Sequence, residues 1–216
     1  MPLVGTIAPG LLIAGLALVL AEIPQPQAYS QDFEKNSMTP RVELTILNKR
    51  YCEAGGEVAM LHLDLAARFV NTSQHTLIVP RGAIVSQLAM ADSLSELEHT
   101  KSWFIDNFTA VPRYRTTKRP GRDFAILRPG ENVEIRVPIA IPYVFTATPN
   151  IRGPGSYLLR VWIDSSLDSD PHARIAAKLA ECWRQWGDLW AGLVPSLPTA
   201  IVIDHDAKLE RCDSPR

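Results

Sequence analysis

Three groups of residues have types and spacing that suit chemistry. Cys52, Cys182 and Cys212 are an odd set. In an oxidising compartment two of them close a bridge and one stays a thiol, and all three pairings are open. His62-x-Asp64 sets two ligand-capable side chains on one face of a strand, and Asp204-His205-Asp206 closes another. With His75 and His172, these are the residues that a metal-binding protein or a metal-assisted enzyme would draw on. A zinc site needs three or four converging ligands, and this spacing supplies only two at a time. Ordinary surface polarity is therefore the expectation, with no metal and no cofactor. The third group is Arg113, Arg115, Lys118, Arg119 and Arg122, five cations within a stretch that contains no acid and has Tyr114 between two of them. On a loop between strands they suit a phosphate, a sulfate or an acidic partner surface. No Gly-x-Ser-x-Gly elbow, His-Glu-x-x-His pair or phosphate-cradling glycine loop is present. The expectation is a protein that binds rather than catalyses.

These groups need a scaffold and a compartment. Residues 1–30 carry one charge, Glu22, and contain the apolar run Leu11 to Leu20, the length of a signal-peptide core. Ala28-Tyr29-Ser30 offers small residues where a signal peptidase reads, which makes Gln31 the expected mature N-terminus. Cleavage after Ala21 and retention as an uncleaved membrane anchor are the alternatives. All of these put the bulk of the chain outside the cytoplasm, periplasmic or secreted.

From Arg41 onward the apolar residues alternate with period two, as half-buried strands do. Val42, Leu44 and Ile46 share one face. Leu61, Leu63, Leu65, Ala67 and Phe69 form the clearest strand. Thr76 to Val79 is a short strand closed by Pro80. Residues 83–91 fit strand or helix, Ser93 to Glu96 has capping-box spacing, and Trp103 to Thr109 returns to strand. After Phe124 to Leu127 comes Arg128-Pro-Gly-Glu131, a turn whose glycine permits φ > 0. Val133 to Ile141 then alternate against Pro138 and Pro142, which places that strand at an edge, or bends it, because proline lacks a ladder donor.

Gly153-Pro-Gly155 leads into Tyr157, Leu159, Val161 and Ile163. This glycine-rich turn followed by Gly-x-Tyr-x-x-x-Val, after a Pro-Gly turn and a strand, resembles the late strands of immunoglobulin- and fibronectin-type sandwiches. The resemblance covers about residues 128–164, with Pro198 to Asp204 as a final strand. It implies an all-β, immunoglobulin-like antiparallel β-sandwich over residues 41–205, with a tail at 206–216. The Cys…Trp…Cys signature of antibody-type domains is missing, so only architecture carries over.

One helix interrupts the pattern. Asp170-Pro171 is a helix start. Ile175, Leu179, Cys182, Trp183, Trp186, Leu189 and Trp190 then recur at three- and four-residue spacing, which predicts an amphipathic helix over 171–191, stopped by Gly192. Three of the five tryptophans, Trp183, Trp186 and Trp190, lie on it. Such a stripe usually faces core, and any part left exposed is a candidate partner surface.

With 216 residues, 22 Lys+Arg and 23 Asp+Glu, the chain is long enough to fold without a disulfide scaffold and nearly neutral. Removing residues 1–30 takes away only Glu22, leaving 22 charges of each sign. That balance argues against whole-molecule attraction to nucleic acid, and membrane association is expected only through an uncleaved N-terminal segment. The expected role is an exported, non-catalytic binding module of the cell envelope. Loop 113–122 and helix 171–191 are its candidate contacts, and another envelope protein or an anionic ligand is the expected partner.

Overall fold

The computed structural model describes residues 39–53, 59–82, 84–100, 103–104, 117–143, 154–164, 172–204 and 208–211. Its strands in chain order begin with β1 (Arg41–Glu53), β2 (Ala59–Val70), β3 (Leu77–Pro80), β4 (Ile84–Ala91) and β5 (Trp103–Phe104). They continue with β6 (Phe124–Leu127), β7 (Asn132–Tyr143), β8 (Gly155–Asp164), β9 (Asp188–Leu189), β10 (Leu193–Pro195) and β11 (Thr199–Ile203). Two helices are described, α1 (Leu94–His99) and α2 (His172–Trp183). Residues 1–30, expected as a leader, and Arg113, Arg115, His205 and Cys212 lie outside the described residues.

The described residues are mostly strand, in antiparallel sheets that share a core. β1, β2 and β7 form one sheet with β2 in the middle. β8 is the hub of a second, pairing with β4 on one side and with both β10 and β11 on the other, while β5 extends β4. A small third sheet has the order β6-β3-β9, with β9 parallel to β3. Leu61, Leu63, Leu65 and Phe69 of β2 bury in one cluster with Val133, Ile135 and Val137 of β7 and with Leu159, Val161 and Ile163 of β8. Full burial of each large side chain is worth about 1.5–3 kcal/mol. A slip of one residue would turn a whole set to solvent, so the alternation pins the register. β7, with its two prolines, is an edge of its sheet, as expected of a strand missing two donors.

Local signals account for the connections. Residues 84–91 resolve as strand, and the Ser93 Oγ accepts from Glu96 N at 3.2 Å to cap α1. Gly130 takes φ +81 in the Arg128–Glu131 turn. Asn71 is fully buried and organises the loop after β2. Its Nδ2 donates to His75 O at 2.7 Å and Leu127 O at 2.8 Å, and its Oδ1 accepts from Ser73 N and Oγ.

Two departures from the sequence reading have physical causes. In β1 the register shifts between Ile46 and Asn48, a β-bulge that leaves Leu47 exposed. Beyond it Lys49 and Tyr51 lie opposite Leu63 and Leu61, on the core side. Lys49 Nζ then reaches Val202 O at 2.5 Å and Asp204 Oδ2 at 2.8 Å, while Tyr51 OH accepts from Asp204 N at 2.9 Å. The bulge fastens β1 to the end of β11.

The second departure is in α2, which stops at Trp183 and not near Ala191. Residues 184–186 form a turn, and Gly187 follows at φ +144. A Cβ at Gly187 would lie 2.6 Å from Thr76 O, an approach no other residue permits. Thr76 O accepts from Asp188 N, and Ile78 O from Trp190 N, both at 2.9 Å. Gly187 thus ends the helical region where the chain must turn to lie alongside β3.

Candidate functional site

Trp183 ties the helix to the basic segment. Its indole is fully buried, stacks edge-on against Phe124 with ring centroids 4.7 Å apart, and donates from Nε1 to Thr117 O at 2.8 Å. Ile78 and Leu179 complete this small core, with Ile175, Ala176 and Leu189 packed against it. The described part of the basic segment, residues 117–122, therefore starts beside the last turn of α2, and Phe124, just past its end, packs there as well. Lys118, Arg119 and Arg122 are exposed there, as is Arg184. Among the described residues none of these four cations forms an ion pair.

The three tryptophans of the expected stripe separate. Trp183 and Trp190 are buried and serve packing, Trp190 against Phe69 with ring centroids 5.7 Å apart. Trp186, on the turn after α2, is 43% exposed and is the only one of the three left to meet a partner.

On another flank of α2 an open cleft of about 590 Å³ lies between the helix and residues 188–193. Leu189 and Leu193 give it apolar surface above the buried Leu77, and Ala177 and Ala180 keep the helix wall low. Glu181, Arg184, Asp188 and Trp190 also line it. Glu181, Arg184 and Asp188 are not among the residues that the sequence singles out. The first two sit off the apolar stripe, which was their only available signal, and the opposite wall is supplied by a turn that the helical periodicity had hidden.

The scattered ligand-capable residues do not converge in the described part. His62 and Asp64 lie on the outer face of β2, since Leu61, Leu63 and Leu65 between them are buried. Burial pushes the His62 imidazole pKa below its usual value, Arg50 opposite it on β1 adds to this, and Asp64 opposes it. Asp204 sits on the other side of the sheet. Its carboxyl is held below the usual range, first by the hydrogen bond from Lys49 and also by Lys49's charge and a bond from Tyr51. Among the described residues no group of three or more His, Cys, Asp or Glu side chains is placed to hold a metal. Nor is any described helix long and apolar enough to cross a membrane.

Cys182 is a free, exposed thiol, which removes the staple from the helix to the tail that the sequence allowed. It lies beside the buried stripe of α2, not on it. Cys52 is buried at the end of β1, where the tail runs alongside: Glu53 N donates to Glu210 O and Glu210 N to Tyr51 O.

No family model, curated protein or solved structure matches this chain.

Proposed function

We propose that the chain is an exported, non-catalytic binding module of the cell envelope, built as an immunoglobulin-type sandwich and making contact through the basic segment and the end of α2. The strand order supports the architecture: β1-β2-β7 against β11-β8-β4 matches the A-B-E and G-F-C order of that fold, with α2 in the F–G connection. The observation that carries the function is the Trp183 junction, which joins two separate candidate segments into one surface. That surface presents Lys118, Arg119, Arg122 and Arg184 without ion pairs among the described residues, beside an exposed Trp186. Its complement is an acidic patch on an envelope protein.

The test is site-specific photo-crosslinking in the exported chain. Probes at Arg119 and at Trp186 are expected to capture the same protein, and a control probe at exposed Leu47 is expected to miss it. The triple change K118E/R119E/R122E should cut capture about tenfold, because like charges then face each other across the contact. Equal labelling at all three positions, or a chain that starts at Met1 and stays in the cytosol, overturns the reading. N-terminal sequencing of the exported form is expected to begin at Gln31.

The exported setting also bears on the cysteines. Cys52 is disulfide-bonded and Cys182 is free, so of the three cysteines in the chain Cys212 is the proposed partner of Cys52. A peptide map without reduction should contain a Cys52–Cys212 link, and iodoacetamide should label Cys182 alone until reductant is added. Cys212→Ser should cost about 2–4 kcal/mol. Labelling of all three thiols without reductant would refute the pairing.

A further inference from the structure

The cleft beside α2 holds polar side-chain groups that have no partner among the described residues. Trp190 is only 8% exposed, and its backbone N–H is committed to Ile78 O. A buried indole N–H ordinarily finds an acceptor. Trp190 Nε1 has none among the described residues. It lies next to Gly192, 3.9 Å from where a Cβ would stand. The atom is not sealed inside the protein either: the buried side-chain nitrogen left without a partner among the described residues is Arg160 Nε. Trp190 Nε1 therefore opens on the cleft that Trp190 lines.

Arg184, Glu181 and Asp188 line the same cleft, yet Arg184 pairs with neither acid. A cation and two carboxylates held apart over an apolar floor are complementary to a ligand that carries both charges and an apolar body. We infer that this cleft binds a free α-amino acid with an apolar side chain. The ligand carboxylate takes the donors of Arg184 and Trp190 Nε1, its ammonium takes Glu181 and Asp188, and its side chain lies on Leu189 and Leu193. A simple anion fits worse because two carboxylates oppose it. A sugar fits worse because Trp190 is only 8% exposed and packs against Phe69, which leaves little ring surface for stacking. The inference deepens the binding-module reading, since α2 forms one wall, but it concerns a different flank of that helix. Loss of crosslinking and loss of cleft binding are thus separable.

The experiment titrates the exported chain with L-leucine, L-methionine and L-phenylalanine by calorimetry, with tryptophan fluorescence as a second readout. At least one should bind saturably with one site per chain. Its N-acetyl form, lacking the ammonium, and its amide, lacking the carboxylate, should each bind about tenfold or more weakly, since each loses charge-assisted hydrogen bonds. Arg184→Gln should weaken the amino acid but not the amide, and the double change E181Q/D188N should weaken the amino acid but not the N-acetyl form. Arg184 and Glu181 are exposed, so circular dichroism should show these variants folded. No saturable binding of the three amino acids, or an amide or N-acetyl form that binds as tightly as the parent amino acid, overturns the inference. So does binding only after deletion of residues 31–38, which would give the cleft to the chain preceding Thr39, a residue that itself lines it.

Discussion

Trp183→Ala is expected to lower stability by about 3–5 kcal/mol, the range for emptying a buried aromatic site. The side chain is wholly enclosed, so its removal loses the transfer energy and leaves a cavity as well. Phe124 loses its edge-on partner, worth about 0.5–1.5 kcal/mol beyond the buried area, and the Thr117 carbonyl loses its donor. The loss should show as a lower urea midpoint with the slope unchanged. Trp183→Phe should recover most of it, falling short by the hydrogen bond and the smaller ring. Trp186→Ala, at a position 43% exposed, should stay within about 0.5 kcal/mol of the parent. The functional consequence follows from the same contacts: Trp183→Ala should raise amide exchange in both α2 and residues 117–122, because one side chain clamps them together. If exchange rises in the helix and not in the basic segment, the two are not a single surface.

Much of this fold is legible in the sequence where local rules and the native structure agree. Leu61 to Phe69 and Val133 to Ile141 alternate because one face of each strand meets the core, and that requirement is written at a spacing of two. The bulge at Leu47 is different, since a slipped register belongs to a pair of strands and leaves no mark on either alone. The end of α2 was obscured by coincidence. Leu189 and Trp190 continue a helical spacing from Trp183 and Trp186, yet they reach the interior through a turn and a strand beside β3. Gly187 stood within that run as a signal, and only the approach to Thr76 O makes it decisive over Gly192. The candidate sites divide in the same way. The cations and tryptophans stood out by type, but Trp183 meets Thr117 across 66 positions of sequence, and no local pattern encodes such a contact. Glu181, Arg184 and Asp188 look like ordinary helix-flank and turn charges until the opposite wall of the cleft is in place.

Asn71→Ala is expected to cost a comparable amount, about 3–5 kcal/mol, for a different reason. The amide fills little volume, so cavity formation is a minor part. What it supplies is satisfaction: two donors to His75 O and Leu127 O, and one acceptor shared by Ser73 N and Oγ. Truncation removes all four bonds; His75 O and Ser73 Oγ keep each other at 3.0 Å, so the loss falls mainly on Leu127 O and Ser73 N, where each unsatisfied group costs about 1–3 kcal/mol. The backbone bonds from Asn71 N to Glu131 O and from Gly130 N to Asn71 O remain, so the loss should be one of stability and not of topology. Asn71→Asp separates the two roles of the side chain. It keeps the acceptor for Ser73 but turns a carboxylate oxygen toward two carbonyls. Burial and those carbonyls should raise its pKa in the folded state above the unfolded value of about 3.9. Raised in this direction, the group favours folding below the unfolded pKa, and that contribution is lost as pH rises through the folded pKa. Asn71→Asp should therefore resemble Asn71→Ala at neutral pH and regain stability relative to it in acid. Urea titrations of both variants at pH 7 and near pH 4 decide this. A constant difference between them would mean that the Nδ2 bonds to His75 O and Leu127 O contribute little.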